Sequence, residues 1–401
     1  MTPERAVWVT GVGAVTAAGI GAERLGRALL TACPLVHPVA AFGGLPAGRA
    51  PEPPRGSGAR RLDRSAALFL AAANEAWCTA GLPDDASGVE RCGLIEGSCL
   101  GPLGDVIETI REHVAGNGTG SLPATGLIRF MTGAGGLAFA QLRRLRGPVA
   151  HLSAASVSSA CAIGDAMAKI AVGLLDVVVV GGAECPLQCD IIESLRVGGV
   201  LATPRDGAAP CCPFDARRSG TVLGEGAGVL VLEAAGHATR RGAQPRAILT
   251  GFGLSRETYS MIRPDPTGAG VAEAARSALG DTPVTEIGWI KTHGTGTRVN
   301  DAAECHGLAA VFGDQLPSIP LVSLKPMMGH CLGASGAVEA VAALLALEQG
   351  VIPATLGTTE IDPALPACRI ATDVEPSDAG HILLLAESFG GRCAAVAMRR
   401  P

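Results

Sequence analysis

Leu152-Ser153-Ala154-Ala155-Ser156-Val157-Ser158-Ser159-Ala160-Cys161-Ala162 leads into a helix-like stretch over residues 162–175, which Val177-Val178-Val179-Val180-Gly181-Gly182 follows. A strand over 152–160, a turn of small residues carrying one thiol, a helix and a second short apolar strand make the pattern of a parallel sheet covered by helices. The order returns near the end of the chain. Residues 320–324 read as a strand, Lys325-Pro326-Met327-Met328-Gly329-His330 as the following loop, and 333–348 as a helix. Two further echoes precede these. Trp8-Val9-Thr10-Gly11-Val12-Gly13 recurs as Ile248-Leu249-Thr250-Gly251-Phe252-Gly253, and Cys92-Gly93-Leu94-Ile95-Glu96-Gly97 resembles Ile287-Gly288-Trp289-Ile290-Lys291-Thr292. The sequence therefore predicts an α/β protein of two duplicated halves, residues 1–240 and 241–401, stacked as five layers, α/β/α/β/α.

Composition agrees with a large packed molecule. The chain has 401 residues, 48% of them hydrophobic, enough for an extensive core. With 55 glycines and only 3% aromatic residues, close backbone approaches are expected in place of aromatic packing. A net charge of -5 argues against a broad nucleic-acid-binding surface. The thirteen cysteines are scattered, and neither Cys185 with Cys189 nor Cys211 with Cys212 has a partner pair at zinc-site spacing, so reduced thiols and no metal are expected. Met1-Thr2-Pro3-Glu4-Arg5 carries no signal-peptide pattern, and no apolar run approaches the roughly 18 residues a membrane span needs. A cytoplasmic protein with no membrane partner is the expectation. Residues 40–58, rich in Gly and Pro, read as surface loop ahead of Arg60-Arg61-Leu62-Asp63-Arg64 and an alanine-rich helix over 65–79.

Three loops carry the chemistry. Cys161 stands where a strand gives way to a helix, and a helix N-terminus favours thiolate over thiol. The sequence separately offers His293-Gly294-Thr295-Gly296-Thr297, with Asp301 and Glu304 on a helix beginning after Asn300. His330 follows Lys325 by five residues and precedes Gly333-Ala334-Ser335-Gly336. A nearby ammonium lowers the proton affinity of an imidazole, leaving it neutral and able to donate a hydrogen bond without bearing charge. One thiol and two neutral imidazoles, if brought together, form an acyl-transfer site that can stabilise an enolate oxygen.

These segments resemble the β-ketoacyl-acyl-carrier-protein synthases, the condensing enzymes of type II fatty acid and polyketide assembly within the thiolase superfamily. The resemblance runs through Val9 to Thr16, the 60–64 segment, the Ser-Ala-Cys-Ala turn, Gly181-Gly182-Ala183-Glu184, Pro213-Phe214-Asp215-Ala216-Arg217-Arg218, Gly224-Glu225-Gly226-Ala227-Gly228, the His-Gly-Thr-Gly-Thr loop with Asn300-Asp301, and Lys325 to Gly336. It implies the thiolase fold and decarboxylative Claisen condensation of a Cys-bound acyl chain with malonyl-acyl carrier protein. Cys161 would accept the acyl chain, and the N–H groups of Cys161 and Phe389 would form the oxyanion hole, with Phe389 as gate. His293 and His330 would bind the malonyl thioester oxygen. Lys325 would set their protonation, Glu304 would support that lysine and the loop, and Thr295 and Thr297 would contact phosphopantetheine. No bound cofactor is implied, since the substrates ride on the phosphopantetheine of acyl carrier protein.

The implied partners are that carrier protein and a second ketosynthase-like chain, either an identical copy or a chain-length-factor-like homologue, meeting near residues 149–155. Arg60, Arg61, Arg64, Arg205, Arg217 and Arg218 are candidates for a basic carrier-docking patch. Two departures from the family stand out. Arg392-Cys393 replaces the usual small residue and Asn after Phe-Gly-Gly, with Glu387 as the nearby carboxylate for the arginine, and residues 125–136 carry Arg129 and Gly133-Ala134-Gly135-Gly136. The competing readings are a non-condensing thiolase-fold acyltransferase and a chain-length-factor-like subunit, which usually lacks the nucleophile.

Overall fold

The computed structural model describes residues 2–53, 62–84, 91–116, 126–203 and 209–401. In the first half the main strands are β1 (Val7–Thr16), β2 (Cys92–Gly97), β3 (Val149–Leu152), β4 (Val177–Glu184) and β5 (Gly226–Ala234). In the second they are β6 (Ala247–Arg256), β7 (Ile287–Lys291), β8 (Pro320–Val322), β9 (His381–Ser388) and β10 (Arg392–Arg399). The helices that matter here are α1 (Arg64–Thr79), α2 (Ala134–Arg143), α3 (Ser158–Ala171), α4 (Ala269–Leu279), α5 (Arg298–Phe312) and α6 (Ser335–Gln349).

The two halves share one topology. The first runs β3-β2-β4-β5-β1 and the second β8-β7-β9-β10-β6, so the third, second, fourth, fifth and first strands of each half lie side by side in that order. In both, the second strand is parallel to the third and fourth, and the fifth is antiparallel to the fourth and first. A register shift falls at Val9/Gly11 in one half and at Leu249/Gly251 in the other. Three residue pairs, Val7 to Val9 with Ala247 to Leu249, join the half-sheets.

The repeated Thr-Gly-x-Gly has a packing cause. A Cβ on Gly13 would lie 2.0 Å from the carbonyl oxygen of Ala72 in α1, and one on Gly253 would lie 2.0 Å from that of Ala274 in α4. Only glycine lets a helix backbone rest this closely on a strand. Helices α1 and α2 cover the outer face of the first half-sheet, and α4 and α5 that of the second. Helices α3 and α6 lie between the sheets in a common core, which completes the five layers.

Helix α6 corrects one sequence expectation. Leu332–Gln349 is long and apolar enough to cross a bilayer, but it is the central helix, and its buried residues include every position from Ser335 to Leu347. A helix with sheets on both sides needs an apolar surface all round. Two further differences are local. The strand expected over 152–160 ends at Leu152, because Ala155 turns to φ 51° and the Ser158 hydroxyl binds the Ala154 N–H at 2.8 Å. The helix thus begins at Ser158, three residues before the thiol. Within the expected 40–58 loop, Leu45–Gly48 forms a short strand parallel to Leu223–Gly224, while residues 54–58 lie outside the described residues.

The contact between α3 and α6 yields a test. A Cβ on Gly336 would lie 2.7 Å from the amide nitrogen and 2.8 Å from the Cβ of Ala160. In an exposed helix, Gly→Ala stabilises by about 1 kcal/mol. Here the sign reverses: Gly336→Ala is expected to destabilise by about 1–3 kcal/mol through overpacking, read as a lower urea midpoint at unchanged m-value.

Candidate active site

Cys161 lies in the first turn of α3, 8% exposed, in a small apolar cluster with Val157, Ala160, Ala386 and Ala394. The duplicated topology explains what it meets. Both α3 and α6 follow the third strand of their half, and they touch at their N-terminal ends, where Ser159 Oγ accepts the Ala337 N–H at 2.9 Å. Burial pushes the Cys161 thiol up to about 11, opposed by the charge of Arg392. The Cys161 N–H, expected as an oxyanion donor, gives a regular helical bond to Val157 O at 2.9 Å.

His293 and His330 sit edge to face with ring centroids 5.3 Å apart. His293 follows β7, the second strand of its half. The loop after it is held by Glu304 on α5, whose carboxylate accepts the N–H groups of His293 at 2.5 Å and Gly294 at 2.8 Å. Thr297 caps that helix by accepting the Asn300 N–H at 3.3 Å, so α5 begins at Arg298, ahead of the position after Asn300 that the sequence suggested. Asp301, in its first turn, binds the N–H groups of Phe214 at 2.8 Å and Gly296 at 3.2 Å. His330 is anchored by Ser335, whose hydroxyl lies 2.9 Å from Nδ1. With that hydroxyl as donor, Nε2 carries the imidazole proton. His293 Nδ1 has no partner among the described residues.

Both imidazoles are held well below the usual histidine range, first by burial and then by the positive charge of Lys325. The lysine effect expected from the sequence is present, and burial exceeds it. The partner of Lys325 is a correction. Its ammonium binds the His293 carbonyl and Glu339 Oε1, the latter at 2.9 Å, while Glu304 serves the backbone loop alone. Lys291 binds the other oxygen of Glu339 and the carbonyl of Leu385. Neither Glu339 nor Lys291 was assigned a role from the sequence. The available signal is a carboxylate in the apolar stretch of a helix, which can be buried only if cations meet it.

A cavity of about 390 Å³ opens onto both imidazoles and is also lined by Thr295, Thr297, Phe389 and Arg392. Thr295 and Thr297 present hydroxyls 3.0 Å apart. Phe389, 46% exposed, lies in the loop joining β9 and β10. The expected pairing of Arg392 with Glu387 is absent. Cross-strand register puts Glu387 beside Cys393 and Arg392 beside Ser388, on opposite faces of the hairpin. Glu387 Oε1 has no partner among the described residues, and burial keeps this carboxyl well above the usual carboxylate range.

The arginine patch is also revised. Arg64 pairs with Glu225 at 2.9 Å, Arg217 with Asp215 at 2.9 Å, and Arg218, 3% exposed, with Asp362 at 2.6 Å. These side chains are occupied in holding the fold, while Arg60, Arg61 and Arg205 lie outside the described residues. Arg129 is bound by Asp105 at 2.7 Å, and residue 125 is outside the described residues.

This geometry meets its relatives directly. The family profile described as "Beta-ketoacyl synthase, N-terminal domain" matches residues 54–238, and "Beta-ketoacyl synthase, C-terminal domain" matches 246–359. The chain belongs to the β-ketoacyl synthase family. It is 35% identical to nodulation protein E of Rhizobium sp. (strain N33) over 75% of this chain and 74% of that protein. It is 33% identical to 3-oxoacyl-[acyl-carrier-protein] synthase 2 of Vibrio harveyi over 83% of this chain and 81% of that one. Among solved structures, it superposes with TM-score 0.91 at 25% identity, over the full length of both chains, on a type II PKS ketosynthase complex with its acyl-carrier protein, AntDE:AntF. The ketosynthase ApeO in complex with its chain length factor ApeC, from Xenorhabdus doucetiae, matches with TM-score 0.86 at 26% identity over 99% of this chain and 98% of that one.

For this ketosynthase, Glu339→Gln leaves two buried ammonium groups without their counter-charge. The expected cost is on the order of 3–5 kcal/mol, measured as the fall in unfolding free energy by urea titration. Glu304→Gln, which keeps an acceptor for one of the His293 and Gly294 N–H groups and sets an amide NH2 against the other, is expected to cost less, about 1–3 kcal/mol.

Proposed function

We propose that this ketosynthase carries out decarboxylative Claisen condensation in a type II polyketide system, joining a Cys161-bound acyl chain to a malonyl unit on acyl carrier protein. The observation that carries the reading is the pair of buried neutral imidazoles, edge to face in one cavity, with the Cys161 helix packed against the helix that follows His330. Cys161 takes the acyl group by thioester exchange, releasing the carrier thiol. The imidazole N–H groups bind the malonyl thioester oxygen, and loss of carbon dioxide leaves an enolate whose charge they stabilise. The enolate carbon attacks the acyl carbon on Cys161. The new C–C bond forms as the C–S bond breaks, and the thiolate leaves with the electron pair. Thr295 and Thr297 serve the phosphopantetheine arm along the cavity wall, and the Phe389 N–H supports the oxyanion.

The partner reading follows from the edge of the sheet. Among the described residues strand β3 pairs with β2 alone, leaving its other edge unpaired, and an unpaired edge is a template for a second chain. That partner is a second copy or a chain-length-factor-like homologue, and the cellular site is the cytoplasm. A chain-length-factor role for this chain itself is disfavoured because Cys161, His293 and His330 are all present.

Two outcomes test the reaction. Cys161→Ala should abolish the acyl mass increment on the intact protein while leaving carbon dioxide release from malonyl carrier protein measurable, and His293→Ala or His330→Ala should reduce that release by about 10²–10³-fold. Acyl loading of the unmodified enzyme without any β-ketoacyl product would instead identify a simple acyltransferase. The pH profile of decarboxylation follows from the imidazoles. Because the reaction uses their neutral forms, its acid limb should lie below pH 6.5. Lys325→Met, by removing a positive charge that disfavours imidazolium, should move that limb upward.

A further inference from the structure

The departure at Arg392 has no structural partner. Among the described residues this half-buried guanidinium makes no ion pair, and its cross-strand neighbour on β6 is a second cation, Arg256. Like charges placed opposite one another are destabilising unless an anion lies between or beside them. The register identifies where that anion belongs. Ala386 and Ala394 are cross-strand partners whose side chains pack with Cys161. Side chains alternate along a strand, so the next pair on that face, about 7 Å further along, is Ser388 with Arg392. The guanidinium lies by the gate loop, with Nη1 3.5 Å from where a Cβ on Gly390 would stand, and Arg392 lines the cavity that holds both imidazoles.

Most of the other charged groups near the thiol are already committed. Lys325 and Lys291 are bound to Glu339, and both imidazoles are neutral. Glu184 is bound by the N–H groups of the loop after β2. Glu257 binds the N–H of Asp265 at 2.7 Å and of Gly270 at 3.2 Å; it lines the same cavity with Glu387 and Cys393, whose side chains alternate to the strand face away from Arg392. Within α3, Asp165 is paired with Lys169 one turn beyond the thiol. Arg263 also lines the cavity, but Arg392, reinforced by Arg256, is the cation carried on the strand that packs against Cys161.

We propose that Arg392 is a positioning residue that stabilises the Cys161 thiolate from the strand position next to Ala394 on the same face, substituting a side-chain cation for part of what the buried helix turn provides. The inference deepens the ketosynthase reading and rests on Cys161 as nucleophile. It also accounts for the opposing pull on a thiol that burial drives to about 11. In this arrangement the thiolate is most strongly favoured in the empty enzyme and loses its charge on acylation, leaving the guanidinium unpaired again beside the gate.

The test is the pH dependence of Cys161 alkylation by iodoacetamide, followed by mass mapping of the Cys161 peptide so that the exposed thiols of Cys33, Cys78 and Cys189 do not contribute. Arg392→Met should slow alkylation at pH 7.5 by about tenfold and move the profile upward, since one decade in thiolate fraction is one pH unit. Arg392→Lys should restore most of the rate. A superimposable profile for a folded Arg392→Met protein overturns the proposal. If that variant does not fold, the unmodified enzyme decides. Raising sodium chloride from 20 to 500 mM should slow alkylation at pH 7.5 several-fold by screening a half-buried charge, and no slowing overturns the proposal. Alkylation needs no carrier protein, so an absent condensation activity would defeat the ketosynthase reading without touching this result, and the reverse also holds.

Discussion

Glu339 is the charge around which the site is built. It stands in the middle of a helix buried between two sheets, where an unpaired carboxylate would be intolerable, and it is met from one side by Lys325 and from the other by Lys291. Those two lysines reach in turn to the carbonyls of His293 and Leu385. One carboxylate thus fixes the central helix, the end of β7, the turn before His330 and the strand that leads to the gate loop. Because all of these pieces are bound through one buried ion cluster, the cluster positions the imidazoles and adds the Lys325 charge to the burial that keeps them neutral.

Much of this was legible in the sequence because it follows from backbone requirements. The Thr-Gly-x-Gly echo records two helices resting on glycine backbone at equivalent places, and that kind of demand leaves a residue-level mark. The strand-to-helix junctions at Cys161 and His330 were readable for the same reason. The partner of Lys325 was not. Glu304 and Glu339 both belong to the same half and both are buried, and only the three-dimensional path of the chain decides that one caps backbone N–H groups while the other meets ammonium groups. Within the expected docking patch, Arg218 misled for a related reason. Arg218 looks like any surface cation in a sequence, yet Asp362, 144 positions away, holds it inside.

The duplication also distributes labour. In each half the loop after the second strand is pinned by a buried carboxylate accepting main-chain N–H groups: Glu184 for residues 99–101 and Glu304 for 293–294. The framework has been kept twice, while the reactive side chains have diverged. The thiol belongs to one copy and the imidazoles to the other.

That separation has a consequence for synthesis of the chain. The half-sheets share only three paired residues, and their docking relies on the central helices α3 and α6. While the ribosome is still making the second half, the first can carry its cysteine but has no imidazoles to hold an enolate. Decarboxylation is thereby withheld until the seam between the halves closes, so an unfinished chain would not waste malonyl units.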